Sequence, residues 1–272
     1  MLPYWEDQPI AVERAPTHIE AIWQRVAAAF PGKSVFIGEA GWPSAGRMRE
    51  AALPSPVNQA RFVREMLLLA EHALFWKRTR TLFVADTHWG STEILFTSGH
   101  VDAGPGGNTA GDMERLDQAI ARTNPRRLVF LGDLIHARGG RNPTTLALAQ
   151  AWRNQHRDIT MMLIRGNHDA VTGDPPESLR ITCVDEPYND PPFVYRHYPI
   201  PSRAGHTLAG HLHPAVRLTG PALNWHKFPC YLQRDTVSIM PAFGRFLRQA
   251  TQMPTSTERV YVMVNGIIRG YR

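Results

Sequence analysis

Cysteine is scarce in this chain: among 272 residues only Cys183 and Cys230 carry thiols. Two cysteines cannot build a disulfide scaffold, and neither lies in a closely spaced pair of the kind that holds zinc, so both are expected as buried free thiols. Long apolar runs are missing too. No segment approaches the roughly 18 consecutive apolar residues of a membrane span, so no membrane partner is expected. The opening residues Met1-Leu-Pro-Tyr-Trp-Glu-Asp7 show neither the basic nor the apolar stretch of an export signal, and the expected location is the cytoplasm. Internal repeats are absent, and no Lys/Arg run reads as a polybasic tail. The Gly-rich segment 104–111 has no Gly-Lys-Ser/Thr and is therefore not a P-loop; it reads as a mobile rim of a cleft.

What is present suffices for a folded core. Hydrophobic residues make up 43% of the chain, and the length fits one large domain or one domain with an appendage. Thirty basic residues against 24 acidic ones give a formal charge of +6. That balance suits an anionic partner such as nucleic acid or nucleotide, although a mildly basic surface is common and charge alone does not decide.

Hydrophobic spacing divides the chain. Residues 17–30 have helical spacing, with Ile19, Ile22, Val26 and Phe30 on one face. Ser34–Ile37 reads as a strand, 40–56 as loop, and 57–74 as a second helix with Phe62, Met66, Leu69 and Ala73 facing a core. From Thr79 the pattern alternates: strand 81–85, helix 111–123, strand 127–131, helix 144–156, strand 159–164. Such a βαβαβ run predicts a layered α/β sheet. Past residue 180 the apolar runs are short, at 193–197, 207–210, 236–240 and 259–265, and predict a second sheet packed on the first.

Five motifs carry the chemistry: Asp86-Thr-His88, Gly132-Asp133-Leu-Ile-His136, Gly166-Asn167-His168-Asp169, a lone His197, and Gly210-His211-Leu-His213. The first three follow short apolar runs, so each places its polar residues at a strand's carboxyl end, where open α/β sheets put their chemistry. Asp86 and His88, two apart on an extended strand end, point the same way and can share one ion. Asp133 can bridge two ions with its two oxygens. Asn167 supplies a neutral oxygen to the second ion, His197 and His211 complete it, and His213 returns to the first. Two divalent cations about 3.5–4 Å apart would clamp a phosphate and activate water. Few carboxylates and many imidazoles favour transition metals, Mn, Fe, Zn, Co or Ni, over Mg or Ca.

Other residues in these motifs have several readings. His168 need not bind metal; it can act as an acid toward the leaving oxygen or stabilise charge on phosphate. Asp169 reads as the partner of His168 or as a local cap. His136 either orients Asp133, approaches substrate, or is structural. Arg138, Arg141 and Arg165 flank the motifs and could contact phosphates or lie solvated.

With these motifs the chain resembles the calcineurin-like metallophosphoesterases, whose blocks run D-x-H, GD-x-x-H/D, GNH-D/E, H, GH-x-H. It is more closely similar to the bacterial ligase-associated DNA damage response endonucleases, over roughly residues 67–272. The words that carry this likeness include Ala73-Leu-Phe-Trp76, Leu131-Gly-Asp-Leu-Ile-His-Ala-Arg138, Leu208-Ala-Gly-His-Leu-His-Pro214 and Met240-Pro-Ala-Phe-Gly244. The resemblance implies a four-layer αββα sandwich, Mn-dependent phosphodiester hydrolysis, DNA as substrate, and a setting among DNA-repair ligase, helicase or nuclease partners. Two words depart from the family. Its D-L-H-L-G-K is here Asp86-Thr-His-Trp-Gly-Ser91, and its F-T-G-G after Pro-Ala-Phe-Gly is here Arg245-Phe-Leu-Arg248.

Residues 1–66 look different. Tyr4-Trp5-Glu6-Asp7 and Ile37-Gly-Glu-Ala-Gly-Trp-Pro-Ser44 are similar to the carboxy-terminal part of family 17 glycoside hydrolases, where the residue matching Glu39 is the nucleophile. A (β/α)₈ barrel needs roughly 250 residues, and a retaining glycosidase needs a second carboxylate about 5–5.5 Å away; neither is available, so the segment reads as a non-catalytic α/β appendage. Three functions compete at this point: a metal-dependent phosphodiesterase or nuclease, with a nucleotide or UDP-sugar pyrophosphatase as its small-molecule form; a glucan hydrolase using Glu39; and a non-catalytic scaffold.

Overall fold

Period-two alternation along three apolar runs lays down the first sheet. In Thr81–Val84, Leu82 and Val84 face one side, while Phe83 and the following Ala85 face the other. Leu128 and Phe130 oppose Val129 and Leu131 in the same way in Arg127–Leu131. All these side chains are fully buried, which requires a layer on each face. The computed structural model supplies both layers; it describes residues 14–29, 68–91, 108–219, 225–244, 250–251, 258–264 and 267–270.

Six strands form the first sheet in chain order: β1 (Leu68–Leu69), β2 (Ala73–Trp76), β3 (Thr81–Val84), β4 (Arg127–Leu131), β5 (Thr160–Ile164) and β6 (Ile181–Val184). From β3 to β6 the pairing is parallel, so their carboxyl ends share one edge. Helices α2 (Thr109–Thr123) and α3 (Pro143–Gln155) make the crossovers and cover one face with Met113, Leu116, Ala119, Ile120, Ala149 and Trp152. Their starts are set by sequence. The side chain of Asn108 accepts from the N–H of Gly111, and that of Asn142 accepts from the N–H of Thr145, with Pro143 in the first turn.

The second sheet holds β7 (Tyr188–Asp190), β8 (Phe193–Tyr195), β9 (His206–Ala209), β10 (Pro214–Thr219), β11 (Trp225–Gln233), β12 (Val237–Ile239), β13 (Ala250–Thr251), β14 (Arg259–Val264) and β15 (Ile267–Gly270). Its order is β13-β10-β11-β12-β9-β8-β7, and β14 pairs with both β11 and β15. Its inner face presents Phe193, Tyr195, Leu208, Tyr231, Met240 and Met263 to Trp76, Phe83, Leu131 and Ile164 of the first sheet. Edge-on aromatic pairs, Trp76–Phe193 and Phe83–Tyr195, with centroids 4.8 and 5.0 Å apart, cross the interface. Alternate residues of the same strands, Cys230, Leu232, Val260 and Val262, face outward in a further buried cluster, the face that the fourth layer of an αββα sandwich covers.

Each strand and helix expected between residues 79 and 164 forms, within two residues of its expected ends. The helix expected at 57–74 does not hold where it can be seen. Residues 57–67 lie outside the described part, and 68–76 is a hairpin, with Leu74 paired to Phe83 and Leu68 to Leu74. The physical reason is burial on both faces: all four residues of Ala73–Trp76 are buried, and a continuous apolar run suits a sandwiched strand. His72, with φ of 64°, makes the turn.

The amino-terminal helix α1 (Ala15–Ala29) forms as expected. Ile19 is buried, whereas Val26 of the same expected face is exposed. The expected strand 34–37, Glu39, the loop 40–56, residues 104–107 of the Gly-rich segment and Arg245–Arg248 fall outside the described residues.

Candidate metal centre

The polar motifs gather at the carboxyl edge of β3, β4 and β5, facing the ends of β8 and β9 across the two-sheet interface. Asp86 and His88 converge as expected, but not through extended backbone. Asp86, His88, Asp133, His211 and His213 all have positive φ, between 44° and 70°. A left-handed backbone at a residue with a Cβ costs roughly 1–2 kcal/mol. Surrounding bonds hold it: His88 N–H donates to Asp133 C=O at 2.9 Å, Asp86 N–H to Gly132 C=O at 3.2 Å, and His211 N–H to Asp86 Oδ2 at 2.8 Å. Strain of this kind, repeated at five neighbouring positions, marks a functional site.

Motif glycines make room for the polar side chains. A Cβ on Gly132 would lie 2.1 Å from His197 Nδ1, and one on Gly166 would lie 2.3 Å from Asp133 Oδ1. One on Gly210 would lie 2.5 Å from Asp86 Oδ2. The Gly of each motif is thus required by the ligand-bearing residue of another.

Two sets of donors meet at Asp133. Its Oδ2 is 3.5 Å from His88 Nε2 and also 3.5 Å from His197 Nε2, while its Oδ1 accepts from the backbone N–H of His168 at 2.9 Å. On one side Asp86, His88 and His213 place nitrogen and carboxylate oxygen atoms within 4.8 Å of one another, a group that could hold a metal ion. On the other side Asp86, Asp133 and His197 form a second such group. Asn167 Oδ1 lies 2.9 Å and His211 Nδ1 3.0 Å from His197 Nε2.

Proton accounting shows what these atoms need. His197 Nδ1 can only donate to the Leu131 carbonyl, 3.1 Å away, so Nε2 of the neutral ring offers a lone pair. It faces an amide oxygen and lies near a carboxylate. Asp86 Oδ1 and His88 Nε2 are buried with no hydrogen-bond partner. Converging lone pairs and unsatisfied buried acceptors are costly unless a cation completes them, so the residues fit divalent ions.

Burial and neighbouring imidazoles disfavour a charge on two of the proposed ligand rings. Burial, then the neighbouring His168, His213, His136 and His197, lowers the His88 pKa from its usual value to about 2. Burial first, and His197 next, also lowers that of His211. A neutral imidazole is the form that binds metal.

His136 reaches His88 rather than Asp133: their Nδ1 atoms are 3.1 Å apart. The His168 ring stacks on His136, with centroids 5.2 Å apart, and meets His88 edge-on at 4.7 Å. His88, His136 and His168 form a third group of converging nitrogens. Asp169 is a cap and a strap. Its carboxylate accepts from the N–H groups of Gly166, Asp133 and Leu134 at 2.7–3.1 Å, tying two motifs together.

The arginines divide. Arg138 is exposed, in a 3-10 turn (Arg138–Arg141) beside the site. Arg165 is engaged elsewhere, paired with both oxygens of Asp174 and with Asp185. Arg141 donates to the carbonyls of Thr172, Gly173 and Asp174, closing the end of helix α4 (Asn167–Thr172).

Glu186 escapes the sequence reading. Its Oε2 accepts from the N–H groups of His197 and Tyr198 at 2.6 and 3.1 Å, fixing the turn that carries His197. A lone Glu eleven residues away offers no spacing signal. The departure at Asp86–Ser91 is explained by packing: Trp89 fills the core against Phe130 and Trp152, and the Thr87 hydroxyl donates to Leu134 C=O at 3.0 Å. Cys183 and Cys230 are free, and burial pushes their thiols up to about 11 and about 12.

Comparison with known proteins agrees with this geometry. The family model described as calcineurin-like phosphoesterase matches residues 79–249. Among solved structures, the chain is similar to the nuclease MPE of Pseudomonas putida, with 39% identity and a TM-score of 0.65, covering 74% of this chain and 92% of that one. It also matches Yfce, a phosphoesterase from E. coli, with 14% identity and a TM-score of 0.32, covering 68% of this chain and 88% of that one; a likeness so low carries no argument. No curated protein matches. The glycoside-hydrolase resemblance of the first 66 residues gains no support from these comparisons.

Proposed function

The chain belongs to the calcineurin-like phosphoesterase family and is a metal-dependent phosphoesterase; from that premise we propose that it is a two-metal phosphodiesterase acting on DNA. The observation that carries the two-metal reading is the position of Asp133 Oδ2, equally far from an imidazole nitrogen on either side. In this reading Asp86, His88 and His213 would hold one ion, Asn167, His197 and His211 the other, and Asp133 would be shared between them. Such a pair supplies charge neutralisation at the phosphate and an activated water nucleophile. The donor set, rich in imidazole with two carboxylates and one amide oxygen, suits Mn, Fe, Zn, Co or Ni over Mg or Ca, and Mn is proposed from the subfamily resemblance alone.

The remaining residues divide the work. His136 orients His88 through their Nδ1 contact. Asp169 fixes the backbone on either side of Asp133 and thereby the direction of its carboxylate. His168 leaves the donor set complete without it, so its ring is available to hand a proton to the departing oxygen. Arg138, exposed two residues after His136, would meet a phosphate of the substrate.

A nucleic-acid substrate is supported by the 39% identity to a protein described as a nuclease and by the formal charge of +6; the choice of DNA rests on the subfamily resemblance. A setting among repair ligases, helicases or nucleases belongs to the same proposal and rests on the subfamily words alone. The test is the purified Mn-loaded protein offered supercoiled plasmid, bis-p-nitrophenyl phosphate and a UDP-sugar. Nicking of plasmid and release of p-nitrophenol, both stopped by EDTA and restored by Mn, are expected. Turnover of the UDP-sugar with the plasmid left intact would move the assignment to the small-molecule reading.

A further inference from the structure

Large apolar side chains seldom stay exposed without a reason when they cluster beside a polar site. Among the described residues five are exposed: Val26, Val171, Tyr198, Ile200 and Ile267. Three of these sit within four residues of a proposed metal ligand. Val171 lies on the short helix that starts with Asn167, and Tyr198 and Ile200 follow His197. Tyr198, 37% exposed, borders the centre itself. The Tyr198 ring is 4.5 Å from the His211 ring and 5.1 Å from that of His197, centroid to centroid.

This ledge is rigid. Its sequence is Tyr198-Pro199-Ile200-Pro201, and each proline fixes its own φ and restricts the residue before it. Glu186 holds the Tyr198 N–H, the Ile200 N–H donates to Tyr198 C=O at 2.8 Å, and the Thr207 hydroxyl donates to Ile200 C=O at 3.0 Å. A partly exposed aromatic ring, carried on a held backbone and in contact with two site histidines beside a phosphate-binding centre, suits stacking of a nucleobase.

We propose that Tyr198 is a substrate-positioning residue that stacks on a nucleobase next to the scissile phosphate. This inference rests on the phosphodiesterase reading and adds to it that the substrate is recognised as a nucleotide and not only as a phosphodiester. The metals and the leaving group are not part of Tyr198's role, and that separates it from the ligands beside it.

The test compares two esters with one leaving group, thymidine 5′-(p-nitrophenyl phosphate) and methyl p-nitrophenyl phosphate, on Mn-loaded wild type, Tyr198→Ala and Tyr198→Phe. Wild type should prefer the thymidine ester. In Tyr198→Ala the ratio of kcat/KM values should fall roughly 5- to 150-fold, the span that base–aromatic stacking gives, mainly through KM. Tyr198→Phe should keep the wild-type ratio. Binding of a fluorescent oligothymidylate without added metal, where nothing turns over, should weaken in Tyr198→Ala and not in Tyr198→Phe. An unchanged ratio in Tyr198→Ala, or an equal loss on both esters, overturns the stacking role. If wild type cleaves neither ester, the phosphodiesterase reading itself falls and the ledge falls with it.

Discussion

His168 is tied to the centre by its backbone, through the N–H that donates to Asp133 Oδ1, while its ring stacks on His136. A ligand holds the ion, whereas an acid lowers a barrier that depends on the leaving group. His168→Ala should therefore keep most of its metal, yet lose roughly 10²–10⁴-fold in rate on DNA, the usual range of general acid–base help. The loss should be smaller on a p-nitrophenyl ester, whose leaving group scarcely needs a proton. Metal analysis beside rates on the two substrates checks this, and loss of metal with equal rate losses would make His168 a ligand. At this scale the sequence is readable where residue type dictates chemistry: Asp86, His88, Asp133, Asn167, His197, His211 and His213 come together where the motifs place them. It is silent where a role depends on remote partners. Asp174 and Asp185 take up Arg165, Glu186 holds the His197 turn, and Asp169 bonds three backbone N–H groups rather than a side chain.

Strands and helices of the βαβαβ run were legible because each combines a clear period with a cap or a turn, as at Asn108 and Asn142. Residues 68–76 were not, because a short buried run has no period that separates strand from helix, and the hairpin is fixed by pairing with β3. Backbone at the ligands was also hidden: side chains expected to align on extended strand ends converge through left-handed turns. The amino-terminal segment poses the element-scale question. The family match begins at residue 79, and all the centre's residues lie beyond it. Removal of residues 1–66 should leave phosphodiesterase activity per folded molecule largely intact, and Glu39→Gln should change no catalytic constant. Burial of Ile19 in α1 predicts some loss of thermal stability on truncation, since a buried Ile contributes about 1.5–3 kcal/mol. Activity assays with a melting curve on the truncated chain check both parts; glucan hydrolysis abolished by Glu39→Gln would overturn the appendage reading.

Across the whole molecule, two sheets bring motifs more than 100 residues apart to one edge: Asp86 from the end of β3 and His211 from the end of β9, joined at 2.8 Å. None of the described helices is long and apolar enough to cross a membrane. A two-metal phosphodiesterase requires that this edge hold two ions shared by Asp133. Metal analysis of the protein purified without chelator, beside Asp133→Ala, tests that most directly. Close to two transition-metal ions per wild-type chain are expected, as two-metal phosphoesterase sites hold, with loss of both metal and activity in the variant. An Asp133→Ala protein that keeps its ions and full Mn-dependent activity would contradict that requirement.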